Sequence, residues 1–235
     1  MASGRIGRAV KRLREWGVAR MIACRAYDWL CERRFGIRTG GVRSLAALGV
    51  GNAACHDYGP TTYLEFRHAM RHVTVRPDRD VFLELGCGMG RIVVMAARYP
   101  FRKVIGLELV PELLEAARQN VERARRHLVC DDVELVSGNA ADYAIPADVS
   151  VIFLFNPFSG PVLVQVFNRI RQSAIESPRP ISIIYINTGD FEKQLGGFDW
   201  LVKRCDCAYI ARGAPSAIYD VRLPAAPVSK SPGRG

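Results

Sequence analysis

Val81-Phe82-Leu83-Glu84-Leu85-Gly86-Cys87-Gly88-Met89-Gly90-Arg91 is the stretch whose reading decides the fold. Val81 to Glu84 read as a buried strand, and Ile92 to Ala97 continue as an apolar helical run. A strand that passes through a glycine turn into a helix predicts unpaired backbone N–H groups at the helix start. The missing side chains predict close approach of a ligand to that backbone. The glycine spacing is G-x-G-x-G, whereas the dinucleotide fingerprint is G-x-G-x-x-G. Glu84, two residues before the first glycine, suits the cationic end of a ligand better than a pyrophosphate.

The turn resembles motif I of the class I S-adenosylmethionine (SAM) methyltransferases. A second strand, Val104 to Leu109, carries Glu108, 18 residues beyond Gly90. An acid at the end of that strand is placed to accept hydrogen bonds from both ribose hydroxyls of a nucleoside.

Working outward, strand and helix signals alternate, as a parallel α/β sheet requires. Helical Pro111 to Arg126 is followed by strands at Val133 to Val136, Val149 to Phe155 and Ile181 to Ile186, with a helix at Val162 to Ile175. Trp200 to Cys207 and Ala217 to Leu223, joined by Gly213-Ala214-Pro215, read as a closing antiparallel pair. The expected fold is therefore a Rossmann-like, mostly parallel seven-stranded sheet with a C-terminal antiparallel pair and an N-terminal helical extension. Residues 1–41 form the extension, 42–223 the methyltransferase-like domain, and the Pro-, Ser- and Gly-rich 224–235 a disordered tail.

The chain has 235 residues and 49% apolar content, enough for one domain with a substantial core. Its seven scattered cysteines show no metal-site spacing and read as reduced thiols of a cytoplasmic protein. Eleven of the 33 basic residues and three of the 23 acidic ones lie in residues 1–43, so that stretch carries +8 of the net +10. Residues 1–35 read as helical, with Ile6, Val10 and Leu13 on one stripe among Arg5, Arg8, Lys11, Arg12 and Arg14. Arg20, Arg25 and Asp28 interrupt Trp16 to Leu30, which excludes a membrane span there. Three fates stay open for this helix: packing on the domain, peripheral contact with an anionic membrane, or contact with an acidic polymer.

Within the superfamily, FLELGCGMGRIV, VIGLEL and FLFNPF together resemble bacterial proteins described as Dot1-like, after the non-SET lysine methyltransferases. Tyr58-Gly59-Pro60-Thr61 resembles a tetrapeptide that precedes motif I in several lysine methyltransferases. Thr61 or Thr62 can cap the helix that follows, Thr62 to Val73. The resemblance implies SAM as cofactor, held by Glu84, Gly86, Cys87, Gly88, Gly90, Glu108, Asn139, Ala140, Asp142 and Asn156. Asn156 and Tyr58 would orient the acceptor, with His56 and Asp57 as candidate bases. Two departures stand out. Asn156-Pro157-Phe158 has one proline where base and glutamine methyltransferases commonly have two, and Gly138-Asn139 replaces the common Gly-Asp. Asn139 or Asp142 can supply the acceptor for an adenine amino group. The acceptor itself is unknown, with an amine on a protein or small molecule favoured. Competing functions are nucleic-acid methylation, SAM binding without transfer, and a membrane-docking scaffold. The charge sits in the extension, and no basic groove interleaved with aromatics is evident, which weighs against nucleic acid.

Overall fold

Val81–Leu85 and Val149–Phe155 are almost wholly apolar because helices cover both of their faces. The computed structural model describes residues 3–49, 55–188, 191, 197–207 and 215–223, with side chains from residue 17 onward. The helices are α1 (Ser3–Phe35), α2 (Tyr63–Met70), α3 (Arg91–Ala96), α4 (Pro111–Ala124) and α5 (Gly160–Glu176). The strands are β1 (Val81–Leu85), β2 (Lys103–Glu108), β3 (Val133–Ser137), β4 (Val149–Phe155), β5 (Ser182–Ile186), β6 (Leu201–Asp206) and β7 (Ala217–Val221).

The seven strands run in the order β3-β2-β1-β4-β5-β7-β6. β1 to β5 are parallel, and β7 is antiparallel to both β5 and β6. The connections therefore step from β1 outward to β3 and then return to β4 on the other side. That reversal opens a crevice at the carboxyl ends of β1 and β4. Register places Glu84 opposite Gly106 on one side and Phe153 on the other, so Glu84 sits at the crevice floor.

One sheet face packs Phe66, Phe82, Met95 and Phe153 against α2 and α3. The other packs Phe167 of α5 with Tyr185, Phe191, Phe198 and Trp200. Thr62 is the N-cap of α2 and forms a reciprocal capping box with Glu65 (3.0 and 3.1 Å). α4 ends at Ala124, before a 3-10 turn at Arg125–His127, two residues earlier than the sequence suggested. All seven cysteines are free thiols.

α1 runs without a break through Gly17. The stripe expected at Ile6, Val10 and Leu13, with its flanking basic side chains, lies outside the described side chains, as the tail 224–235 lies outside the described residues. The C-terminal half of α1 is drawn inward: Cys24 and Phe35 are buried, and Phe35, with Ile37 just beyond the helix, joins the core cluster of Tyr63 and Phe66. No described helix is long and apolar enough to cross a membrane.

Candidate active site

The glycine turn after β1 is closed by its own backbone. Gly86 and Cys87 both donate to the Leu107 carbonyl at 2.9 Å, Gly88 donates to Glu108 Oε2 at 2.7 Å, and Gly90 donates to the Cys87 carbonyl at 2.8 Å. Three of these four donors bind the turn to the end of β2, and Gly90 closes the turn on itself. Its contribution to a ligand is room. Gly88 has φ +52°, and a Cβ there would stand 2.2 Å from the Tyr58 ring. Gly90 has φ +78°, and a Cβ there would press on Ala117 of α4 at 3.0 Å. These two glycines are requirements of packing.

Two carboxylates occupy the crevice floor. Glu84 is 5% exposed, and its Oε2 has no hydrogen-bond partner among the described residues. Burial, reinforced by the nearby Glu108 charge, pushes its carboxyl well above the usual range, against a smaller opposing hydrogen bond from the Val93 backbone. Glu108 is equally buried but well provided. Oε1 accepts from Leu109 and Val110 N–H at 2.9 Å each, and Oε2 accepts from Gly88. Burial raises its pKa and these backbone donors restrain the rise. A carboxylate has about four acceptor positions, so Oε2 keeps room for a further donor.

Glu84 and Glu108 open onto a cavity of about 360 Å³, also lined by Gly86, Cys87, Asn139, Ala140, Asn156 and Tyr58. Gly88, Gly90 and Asp142 do not line it. Asp142 instead accepts from Asn139 Nδ2 at 2.8 Å, while Asn139 Oδ1 accepts from Ala141 N–H at 3.1 Å. Of the two acids or amides considered for an adenine amino group, Asn139 is the one on the cavity wall.

The mouth is built by a long-range pairing that the motifs do not reveal. His56 N–H donates to the Pro157 carbonyl at 3.1 Å, Cys55 bridges to Phe158, and His56 Nδ1 donates to the Asn156 carbonyl at 2.6 Å. With Nδ1 so engaged, the neutral ring carries its lone pair on Nε2. Asp57 is tied to Leu45 N–H at 2.9 Å. Asn156 has φ +39°, and Asn187 has φ +56°. They follow the last residues of the adjacent strands β4 and β5, and both line the cavity. Asn is among the few residues that tolerate this left-handed backbone. Sequence reading missed Asn187. The available signal was an apolar strand ending in Asn, the same pattern that singled out Asn156.

Tyr58 departs from its expected part. Its hydroxyl donates to the Thr39 carbonyl at 2.7 Å, and burial pushes its pKa upward. It therefore brings a ring to the site, laid over Gly88, and keeps its hydroxyl in the scaffold.

Behind the turn, Arg91 is buried at 5% exposure and was not singled out by sequence. Its guanidinium donates to Thr39 Oγ1 (2.7 Å), Asp28 Oδ2 (3.1 Å), the Thr61 carbonyl (3.1 Å) and Glu32 Oε1 (2.8 Å). It also lies over the Tyr63 ring at 4.8 Å. The first residue of α3 thus fastens the N-terminal helix to the back of the glycine turn.

Residues 82–174 match the family model of a methyltransferase domain. The chain is 40% identical over 52 residues to a ribosomal protein L11 methyltransferase of Burkholderia cenocepacia, covering 22% of this chain and 17% of that protein. It is 30% identical over 99 residues to a protein-lysine N-methyltransferase of Saccharolobus islandicus, covering 42% and 58% respectively. The chain thus spans less than two thirds of the length of each of these curated relatives. Among solved structures, an RNA methyltransferase from Salinibacter ruber in complex with S-adenosyl-L-homocysteine superposes with a TM-score of 0.51 at 22% identity, over 73% of this chain and 99% of that one. That likeness establishes the fold. The residues present also fit the cofactor of the matched family. A buried carboxylate oxygen without a partner calls for a cationic group, and a second carboxylate on the next strand retains acceptor capacity. Residues 82–174 therefore match a methyltransferase domain, the fold is the Rossmann-like one of the methyltransferase structures, and the lining of the cavity fits S-adenosyl-L-methionine as cofactor.

Proposed function

We propose that the chain transfers the methyl group of SAM to an amine, on a protein or a small molecule, in the manner of the Dot1-like proteins its motifs resemble. The observation that supports the reading is the orphaned, buried Oε2 of Glu84, a residue that lines the cavity together with Glu108, Gly86 and Cys87. Glu84 would receive the cationic amino end of the cofactor, Glu108 a ribose hydroxyl, and Asn139 with Ala140 the adenine edge. The bound cofactor supplies an electrophilic methyl on a sulfonium, whose leaving group needs no proton.

What remains for the protein is to deliver a lone pair in line and at short range. Asn156 and Asn187, held at the ends of β4 and β5, are the polar side chains suited to orient an acceptor at the mouth. An ammonium acceptor must first lose a proton, and His56 Nε2 is the basic atom nearest that task, with Nδ1 fixed by the Asn156 carbonyl. The protein-lysine relative supports an amine on protein as the first class to test. Incubating the chain with methyl-labelled SAM and lysate, then separating protein, nucleic-acid, lipid and small-molecule pools, tests the proposal. Label in protein or amine metabolites that disappears with Glu84→Gln supports it. Label confined to nucleic acid would overturn the acceptor class.

A further inference from the structure

From Gly17 onward, the described part of α1 is occupied on one side. Asp28, Glu32 and Phe35 face the domain, where the two acids meet Arg91. On its solvent-facing part Val18, Ile22 and Trp29 recur at i, i+4 and i+11, with Leu30 toward the notch described below, and each is more than half exposed (51, 61, 59 and 56%). Such a run of large apolar side chains along one helix face marks an interaction surface. Arg25 and Arg33 lie along it, both exposed, and Arg33 lies over the Trp29 ring at 5.6 Å. Among the described side chains of α1, the two acids, Asp28 and Glu32, are turned inward onto Arg91.

At the edge of the same face, α1, α2 and α3 enclose an open notch of about 400 Å³, to which Leu30, Arg34, Arg67 and Arg98 contribute. Arg67 donates to the Tyr27 hydroxyl, and Arg98 sits over the Phe35 ring at 4.6 Å. Among the described residues none of the three guanidiniums has a carboxylate partner. Three arginines gathered without an anion match the charge and donor geometry of a phosphate.

We propose that this side of α1 docks on an anionic membrane surface, with Val18, Ile22 and Trp29 in the headgroup region and the arginine notch on a lipid phosphate. Charge and apolarity must both be used, and an acidic bilayer interface uses both. Self-pairing of two copies through this face would bring like arginines together. A nucleic acid would take the cations and leave the aliphatic stripe in water. The attachment is peripheral, since no described helix can span a bilayer.

Sedimentation of the full chain with phosphatidylcholine vesicles, and with the same vesicles containing phosphatidylglycerol, tests the proposal. Wild type should partition onto the acidic vesicles only, and weaken with salt. Arg34→Glu with Arg67→Glu should lower the partition coefficient by about thirtyfold or more, from two surface cations lost. Ile22→Glu with Trp29→Glu should also release the protein, and both variants should keep wild-type SAM affinity, which reports that they are folded. Equal partition on the two vesicle types, or unchanged binding by the Ile22/Trp29 variant, would overturn the proposal. So would binding of inorganic phosphate or glycerol phosphate without vesicle association. A wild-type dimer that the Ile22/Trp29 variant makes monomeric, or retention of RNA in place of vesicles, would assign the face to another occupant and equally overturn it.

Discussion

Replacing Glu84 by Gln should make the ligand-free protein more stable and bind its cofactor less well. In the folded chain Glu84 is buried, and its Oε2 has no donor. Burial and the neighbouring Glu108 hold its pKa well above the ordinary value of 4.5. The folded state therefore binds this proton more tightly than the unfolded chain. Below the unfolded value both states are protonated and Glu84 costs nothing. As pH rises from there to the folded pKa, stability falls by about 1.4 kcal/mol per pH unit from this group, and above it the full penalty persists. Gln removes the charge and leaves a smaller amide cost. At neutral to alkaline pH the variant should melt higher by about 2–4 °C for each kcal/mol relieved in a domain of this size. The wild-type-minus-variant difference in melting temperature should grow as pH rises through the window. SAM affinity should fall in the opposite sense, by about 1.5–3 kcal/mol for a charge-assisted contact, or roughly ten- to 150-fold. Calorimetric melts from pH 5 to 8.5, with SAM titrations at each pH, measure both. A variant that melts below wild type throughout, with an unchanged pH dependence and unchanged SAM affinity, would refute the assignment of Glu84 to a cationic ligand group.

Arg91→Met should cost about 3–5 kcal/mol, because Asp28 and Glu32 lose their buried cation, and urea denaturation reads it directly. Deleting residues 1–41 strips the same network from the other side and should destabilise the domain comparably, whereas deleting 1–16 leaves every described Arg91 contact in place. Glu108→Ala should weaken SAM by about 1–3 kcal/mol in calorimetry, and should also lower the melting temperature, since Gly88, Leu109 and Val110 lose their acceptor. Asn156→Ala should reduce methyl transfer far more than SAM affinity. Asn156→Gly, which keeps the left-handed backbone, separates the side chain's part from the loop's; equal loss of binding and transfer would make Asn156 a cofactor contact.

The sheet, the glycine turn, the spaced acids and a threonine cap at 61 or 62 were legible in the sequence because each rests on local rules. Strand periodicity, the left-handed freedom of glycine and a Thr-x-x-Glu box act over a few residues, and a parallel sheet alternates its elements in order. The arrangement around Arg91 was not legible. Its partners Thr39, Glu32 and Asp28 lie 52, 59 and 63 residues away, and charge pairing across such distances is settled only when the helices pack. For the same reason the sequence located Tyr58 beside the site, but the fold decided that its hydroxyl would face Thr39 and its ring Gly88. Glu84 and Glu108 look alike as strand acids. Only the tertiary structure gives Glu108 three backbone donors, from Gly88 of the turn and from Leu109 and Val110 after its own strand, and leaves Oε2 of Glu84 without any among the described residues. In α1, likewise, the basic and apolar residues were plain from composition, while packing chose the side that clamps the domain and the side left to solvent.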